Sequence, residues 1–141
     1  MIGKWLLSTA ILFALAVPLI VAQGGPGARK RLYDPNTEVT VSGTIQDVQQ
    51  YTGRRGKWTG THLVLKTDGG LLEVHAGPSS YIAEQQFSFT KGDTIEVVGS
   101  KVSIQGKETL LARTISKDAK TLTLRNAQGI PQWSGGRRRS N

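Results

Sequence analysis

Two imidazoles and one carboxylate form the single focused chemical constellation of this 141-residue chain. It holds two histidines, His62 and His75, and no cysteine. Disulfides, thiolate metal sites and thiol nucleophiles are therefore excluded, and imidazole chemistry must use one or both histidines. The two stand on either side of Asp68-Gly69, a pair that favours a two-residue hairpin turn. With that turn, Thr67 faces Gly70, Leu65 faces Leu72, Leu63 faces Val74 and Val64 faces Glu73. The same register sets His62 directly opposite His75, with Cβ atoms about 5 Å apart. Glu73 lies two residues from His75 on the same strand face. Imidazole suits Zn, Cu and Ni, and a carboxylate supplies a third ligand, so His62, Glu73 and His75 are the candidate metal donors. No fourth ligand is visible. The alternative is a packing or general ligand-binding face, since histidines on a sheet surface also stack and hydrogen-bond without metal. Val64, on the same face, implies partial burial there.

The elements that must position these residues are mostly strands. Apolar and polar residues alternate over residues 38–50, and Gly43 within that run suggests a bulge or sharp bend. Residues 61–67 and 71–76 form the hairpin described above. Gly77-Pro78-Ser79-Ser80 breaks the alternation, and a short helix is predicted over residues 79–86. Lys91-Gly92-Asp93 is a turn. Residues 94–104 read as a fourth strand bent at Gly99, and Gln105-Gly106-Lys107 turns the chain into a fifth over residues 109–116. Residues 121–124 add a strand, and Asn126-Ala127-Gln128-Gly129 turns the chain toward Trp133. Three strands, one helix and two strands give an all-β, OB-like five-stranded Greek-key barrel, with a C-terminal strand and hairpin extension. Other small β-barrels with one helix are the alternative.

A basic and aromatic segment precedes the hairpin. Arg54, Arg55, Lys57 and Trp58 combine positive charge with a stacking ring, and Tyr51 adds another. OB folds bind single-stranded nucleic acid with aromatic rings in a basic groove, so a nucleic-acid or polyanion interface is the second functional reading. The bland alternative is a solvated loop. Catalysis finds little support. There is no Gly-x-Ser-x-Gly elbow, no phosphate-binding glycine loop and no paired carboxylates. A third reading is a structural partner domain that docks on an envelope protein through an exposed strand edge.

Charge and the chain ends bear on the compartment. Eighteen Lys and Arg against ten Asp and Glu give a net +8, which favours an anionic partner. Lys4, the apolar residues 6–21 and the small exit residue Ala22 have the layout of a secretory signal, with cleavage expected after Ala22. The apolar run is shorter than the roughly 20 residues a spanning helix needs, so membrane attachment is expected only if the segment stays uncleaved. The expected organisation is a signal peptide over 1–22, a flexible basic linker over 23–36, the OB-like domain over 37–133 and a basic disordered tail over 134–141. The domain is expected in the periplasm or secreted.

Several segments also resemble a known family. They are Thr61-His62-Leu63-Val64-Leu65-Lys66-Thr67, Glu73-Val74-His75-Ala76-Gly77-Pro78, Lys91-Gly92-Asp93 and Val98-Gly99-Ser100-Lys101-Val102, with the run from Thr121 to Trp133. They resemble small exported bacterial OB-fold proteins, most closely the domain of the magnetosome MamS/MamX type, over roughly residues 34–133. The resemblance implies an envelope OB-like domain linked with metal or redox handling, without catalytic residues. The chain lacks the Cys-x-x-Cys-His of MamX, so no covalent c-type haem is expected. The expected function is a periplasmic OB-fold binding or accessory protein, its ligand a metal ion, a small molecule or an envelope protein.

Overall fold

Over much of the predicted strands apolar residues alternate with polar ones, and folding hides the apolar rows from water by rolling the strands into a barrel. A computed structural model describes residues 32–135. The elements are β1 (Glu38–Thr52), β2 (Thr59–Thr67), β3 (Gly70–Pro78), α1 (Ser79–Glu84), β4 (Thr94–Ile104), β5 (Lys107–Lys117) and β6 (Lys120–Thr123). The sheet order is β3-β2-β1-β4-β5-β6, and a parallel β3–β5 pairing joins the first strand in that order to the fifth. Five strands thus close on themselves as the expected OB barrel, and β6 is the appended sixth. Inside, Ile45, Leu63, Leu65, Val74, Leu110 and Ile115 are almost wholly buried. Each such side chain stabilises the fold by roughly 1.5–3 kcal/mol.

Strand β1 serves both halves of the barrel. Its C-terminal part pairs with β2 and its N-terminal part with β4, the two registers meeting at Thr44. The expected irregularity at Gly43 falls a little further on, between Ile45 and Asp47. Gly43 instead permits a close approach, because a Cβ there would collide with the Lys66 carbonyl oxygen and the Leu65 side chain. The shift at Gly99 is present, between Val98 and Gly99 where β4 meets β5. Helix α1 ends earlier than predicted, at Glu84, and Gln86 takes a left-handed φ of 55° that turns the chain so that Phe87 joins Ile82 in the core.

Both flanks of the barrel are tied down. The linker expected to run to Asn36 is ordered before that point. Tyr33 is 5% exposed, and the backbone N–H of Asp34 donates to Ser100 Oγ at 3.0 Å. The Tyr33 hydroxyl donates to Glu38 Oε2 at 2.6 Å, and Arg113 grips the same carboxylate through two bonds of 3.0 and 2.7 Å. Beyond β6, Arg125 bridges to Pro131, and its guanidinium lies over both the Tyr33 and Trp133 rings. The proposed signal segment and residues 136–141 of the basic tail lie outside the described residues. Among the described residues, no helix is long and apolar enough to cross a membrane.

Candidate functional site

The β2–β3 hairpin keeps the register read from its turn. Thr67 pairs with Gly70, Leu65 with Leu72, Leu63 with Val74, Val64 with Glu73 and His62 with His75. The left-handed residue is Gly70, at φ 111°, and Thr67 Oγ1 donates to the Gly70 carbonyl at 2.8 Å. Strand alternation then sends the leucines and Val74 inward and leaves both imidazoles outside. The two rings lie face to face, 3.7 Å apart and 11° from parallel.

Glu73 meets the edges of both rings through one oxygen. In the tautomer that protonates Nε2, His75 donates to Glu73 Oε1 at 2.8 Å, and His62 Nδ1 lies 3.5 Å from the same oxygen. The second oxygen, Oε2, accepts from Lys107 Nζ at 2.5 Å. Lys107 reaches the site through barrel closure, because the parallel β3–β5 pairing sets Glu73 beside Thr109, two residues past Lys107. The side chains of His62, Glu73 and His75 are 21%, 19% and 23% exposed, whereas Lys107 is 69% exposed. The hydrogen bond from Lys107, seconded by that from His75, holds the Glu73 carboxyl below its ordinary range. Burial, reinforced by His75, pushes the His62 imidazole below its ordinary value against the pull of Glu73. Its ring nitrogen is therefore kept in the neutral form that can ligate.

These three residues offer one donor atom each, all within 4.8 Å of one another. Nitrogen and oxygen donors on a tetrahedral zinc ion lie about 3.4 Å apart, so the cluster needs a short contraction to surround one ion. It also needs the imidazoles to turn. In a stacked pair the in-plane lone pairs run side by side, and convergence on an ion separates the rings.

The basic loop joins this cluster. Tyr51 stacks on His62, with centroids 5.7 Å apart and planes 5° from parallel, and Trp58 lies 6.3 Å from Tyr51 at a tilt of 54°. Four rings thus form one band across β1, β2 and β3. The indole sits where a Cβ on Gly53 or Gly60 would collide with it, so two bare backbone positions seat it. Tyr51 and Trp58 remain 52% and 53% exposed. Arg54, Arg55 and Lys57 are exposed beside them and have no ion-pair partner among the described residues. The sequence sets the basic loop just before the histidine-bearing hairpin, and the contact between the two runs through Tyr51. Lys107 had no sequence signal, because its link to Glu73 depends on a parallel pairing across 34 residues.

No curated protein matches this chain. Among solved structures, it is similar to a single-stranded DNA binding protein from Thermus aquaticus, with 22% identity and a TM-score of 0.48, over 60% of this chain and 41% of that one. It is similar to the S. pombe Stn1-ten1 complex, with 17% identity and a TM-score of 0.45, over 59% of each chain. It is also similar to the TiaS-tRNA(Ile2)-ATP complex, with 20% identity and a TM-score of 0.41, over 57% of this chain and 18% of that one. The match thus spans less than two thirds of each of these three proteins. The sequence signature of the MamS/MamX magnetosome protein family matches residues 37–122, the stretch that carries β1 through most of β6 and every member of the His–Glu–His cluster, and the chain belongs to that family.

Proposed function

We propose that this OB-fold protein is an exported binding protein whose ligand is a divalent transition-metal ion held by His62, Glu73 and His75. One observation carries the reading: three metal-type donors from two strands converge within 4.8 Å on a half-buried face. Zn, Cu and Ni are the ions such nitrogen and oxygen donors suit. The reading is one of binding rather than catalysis, because the donors are accompanied by no nucleophile set. Export is part of the proposal and is supported by Lys4, the apolar run over 6–21 and the small residue Ala22.

The test is thermal unfolding of metal-stripped protein with added Zn, Cu or Ni. A ligand at 100 times its dissociation constant stabilises the folded state by about 2.7 kcal/mol, which raises Tm by several degrees. The double variant His62→Ala, His75→Ala is expected to lose the shift. An unchanged Tm for the native protein at saturating metal would reject the reading.

A second reading has its own support in the half-exposed rings of Tyr51 and Trp58 beside Arg54, Arg55 and Lys57. These suit a polyanion such as single-stranded nucleic acid. It predicts retention of an oligonucleotide that weakens with salt and with neutralisation of the loop cations. Failure to retain any oligonucleotide at low salt would remove it.

A further inference from the structure

The charge around the His–Glu–His cluster does not suit a bare cation. Glu73 is the one anionic donor, so a bound dication leaves a net positive site. Lys107 already holds Glu73 Oε2 at 2.5 Å. A metal would take Oε1, the oxygen that faces both imidazoles, while Lys107 keeps Oε2, so one carboxylate is shared by two cations and the ammonium still has donors to spare. Lys66 lies on the same outer face by strand alternation, two residues from Val64, and Arg54, Arg55 and Lys57 stand on the loop that carries Trp58. The opposing group on β1 is Asp47, which pairs with Val64 and is engaged by the Val48 backbone N–H at 2.9 Å and by Gln49 Nε2 at 3.1 Å. The charged side chain shown in contact with the donors is thus a cation, Lys107.

Coordination leaves the same gap. Three protein ligands leave at least one position on a tetrahedral ion for an exchangeable group. An anion in that position would complete the metal's shell and give Lys107 a second partner beside Glu73 Oε2. We infer that the site takes its metal together with an oxyanion, a carboxylate or a phosphate, which bonds to the metal and pairs with Lys107. The inference rests on the metal reading above and deepens it by naming the second half of the ligand. The 69% exposure of Lys107 suits the role, since an ammonium with three donors can hold Glu73 and meet an incoming anion from solvent.

Cobalt(II) serves as the probe, because its visible bands change when a ligand on the ion changes. The full chain purified in a non-coordinating buffer is loaded with Co(II) and titrated with acetate in one arm and phosphate in the other. At least one anion is expected to shift the bands and to bind the loaded protein at least tenfold more tightly than the metal-free protein. Lys107→Gln is expected to weaken that anion about tenfold, the worth of one charge-assisted hydrogen bond, and Lys107→Arg to restore it. Co(II) alone is expected to bind Lys107→Gln as tightly as the native chain or more tightly, because a competing cation is gone. Whichever of acetate or phosphate gives the effect identifies the source of the oxyanion. Cobalt binding with bands that ignore both anions overturns this inference and leaves the metal reading standing. Failure of Co(II), Zn, Cu and Ni alike to bind overturns both, and an anion effect that survives Lys107→Gln overturns the role of Lys107.

Discussion

Two glutamates anchor two polar clusters on this small barrel, and their partners differ in kind. Glu38 is clasped by the planar fork of Arg113 and by the Tyr33 hydroxyl, so rigid donors fill both oxygens. Glu73 is held by an imidazole and by an exposed lysine, with a second imidazole 3.5 Å away. The Glu38 partners are always charged or buried, and they tie the chain's flanks to the barrel. The Glu73 partners are an imidazole that can turn and a largely exposed lysine that can swing into solvent. A carboxylate bound by donors that do not leave acts as a structural lock, whereas one bound by donors that do leave can serve a ligand. Both are about equally exposed, at 25% and 19%, so burial alone does not separate them.

Substitution is the sharpest way to break this contrast. Arg113→Ala strands the half-buried Glu38 carboxylate and is expected to cost about 2–3 kcal/mol of stability, read by urea unfolding. Glu73→Gln is expected to cost under about 1 kcal/mol, since its lysine partner is largely solvated, while abolishing the metal-induced rise in Tm. Equal losses of stability for the two variants would erase the distinction.

The pH dependence should sharpen it further. The Arg113 hydrogen bonds, with that from Tyr33, hold the Glu38 carboxyl below its ordinary range. Its stabilisation is therefore complete above the ordinary carboxylate pKa and is lost as pH falls through the lowered value. Burial, reinforced by the bond to Glu38, pushes the Tyr33 phenol up to about 12 from 10.0. That contribution is whole below pH 10.0 and is lost as pH rises toward about 12. Tyr33→Phe is expected to flatten the alkaline limb of a stability–pH profile, whereas Glu73→Gln leaves that limb unchanged.

The smallest expected effect concerns the ring band. Trp58→Ala removes a half-exposed indole from the surface and is expected to change stability by about 0.5 kcal/mol or less. If it instead costs as much as Arg113→Ala, the band is part of the structural frame rather than an open ligand face.

The hairpin was legible residue by residue because its information is local. Asp68-Gly69 limits the turn, and a one-residue slip would turn Leu63, Leu65, Leu72 and Val74 out to water. That same constraint makes His62 face His75. The bend in β1 was legible in kind but not in place, because a glycine can mark either a bulge or a close approach, and Gly43 is the latter. The docking of Tyr33 had no local signal, since its partners Glu38 and Arg113 meet across 75 residues.

Alternation of side chains and the chemistry of short turns act over a few residues, and they were enough to write the strands, their inward faces and the pairing of the two histidines into the chain. Closure of the barrel acts at long range. It brought Lys107 to Glu73, while the β1–β2 register laid Tyr51 on His62 with Trp58 beside Tyr51, and the β1–β4 and β4–β5 pairings set Arg113 on Glu38. Those contacts depend on which strands meet around the ring, and strand meeting is settled by how the whole set of apolar faces can be buried together.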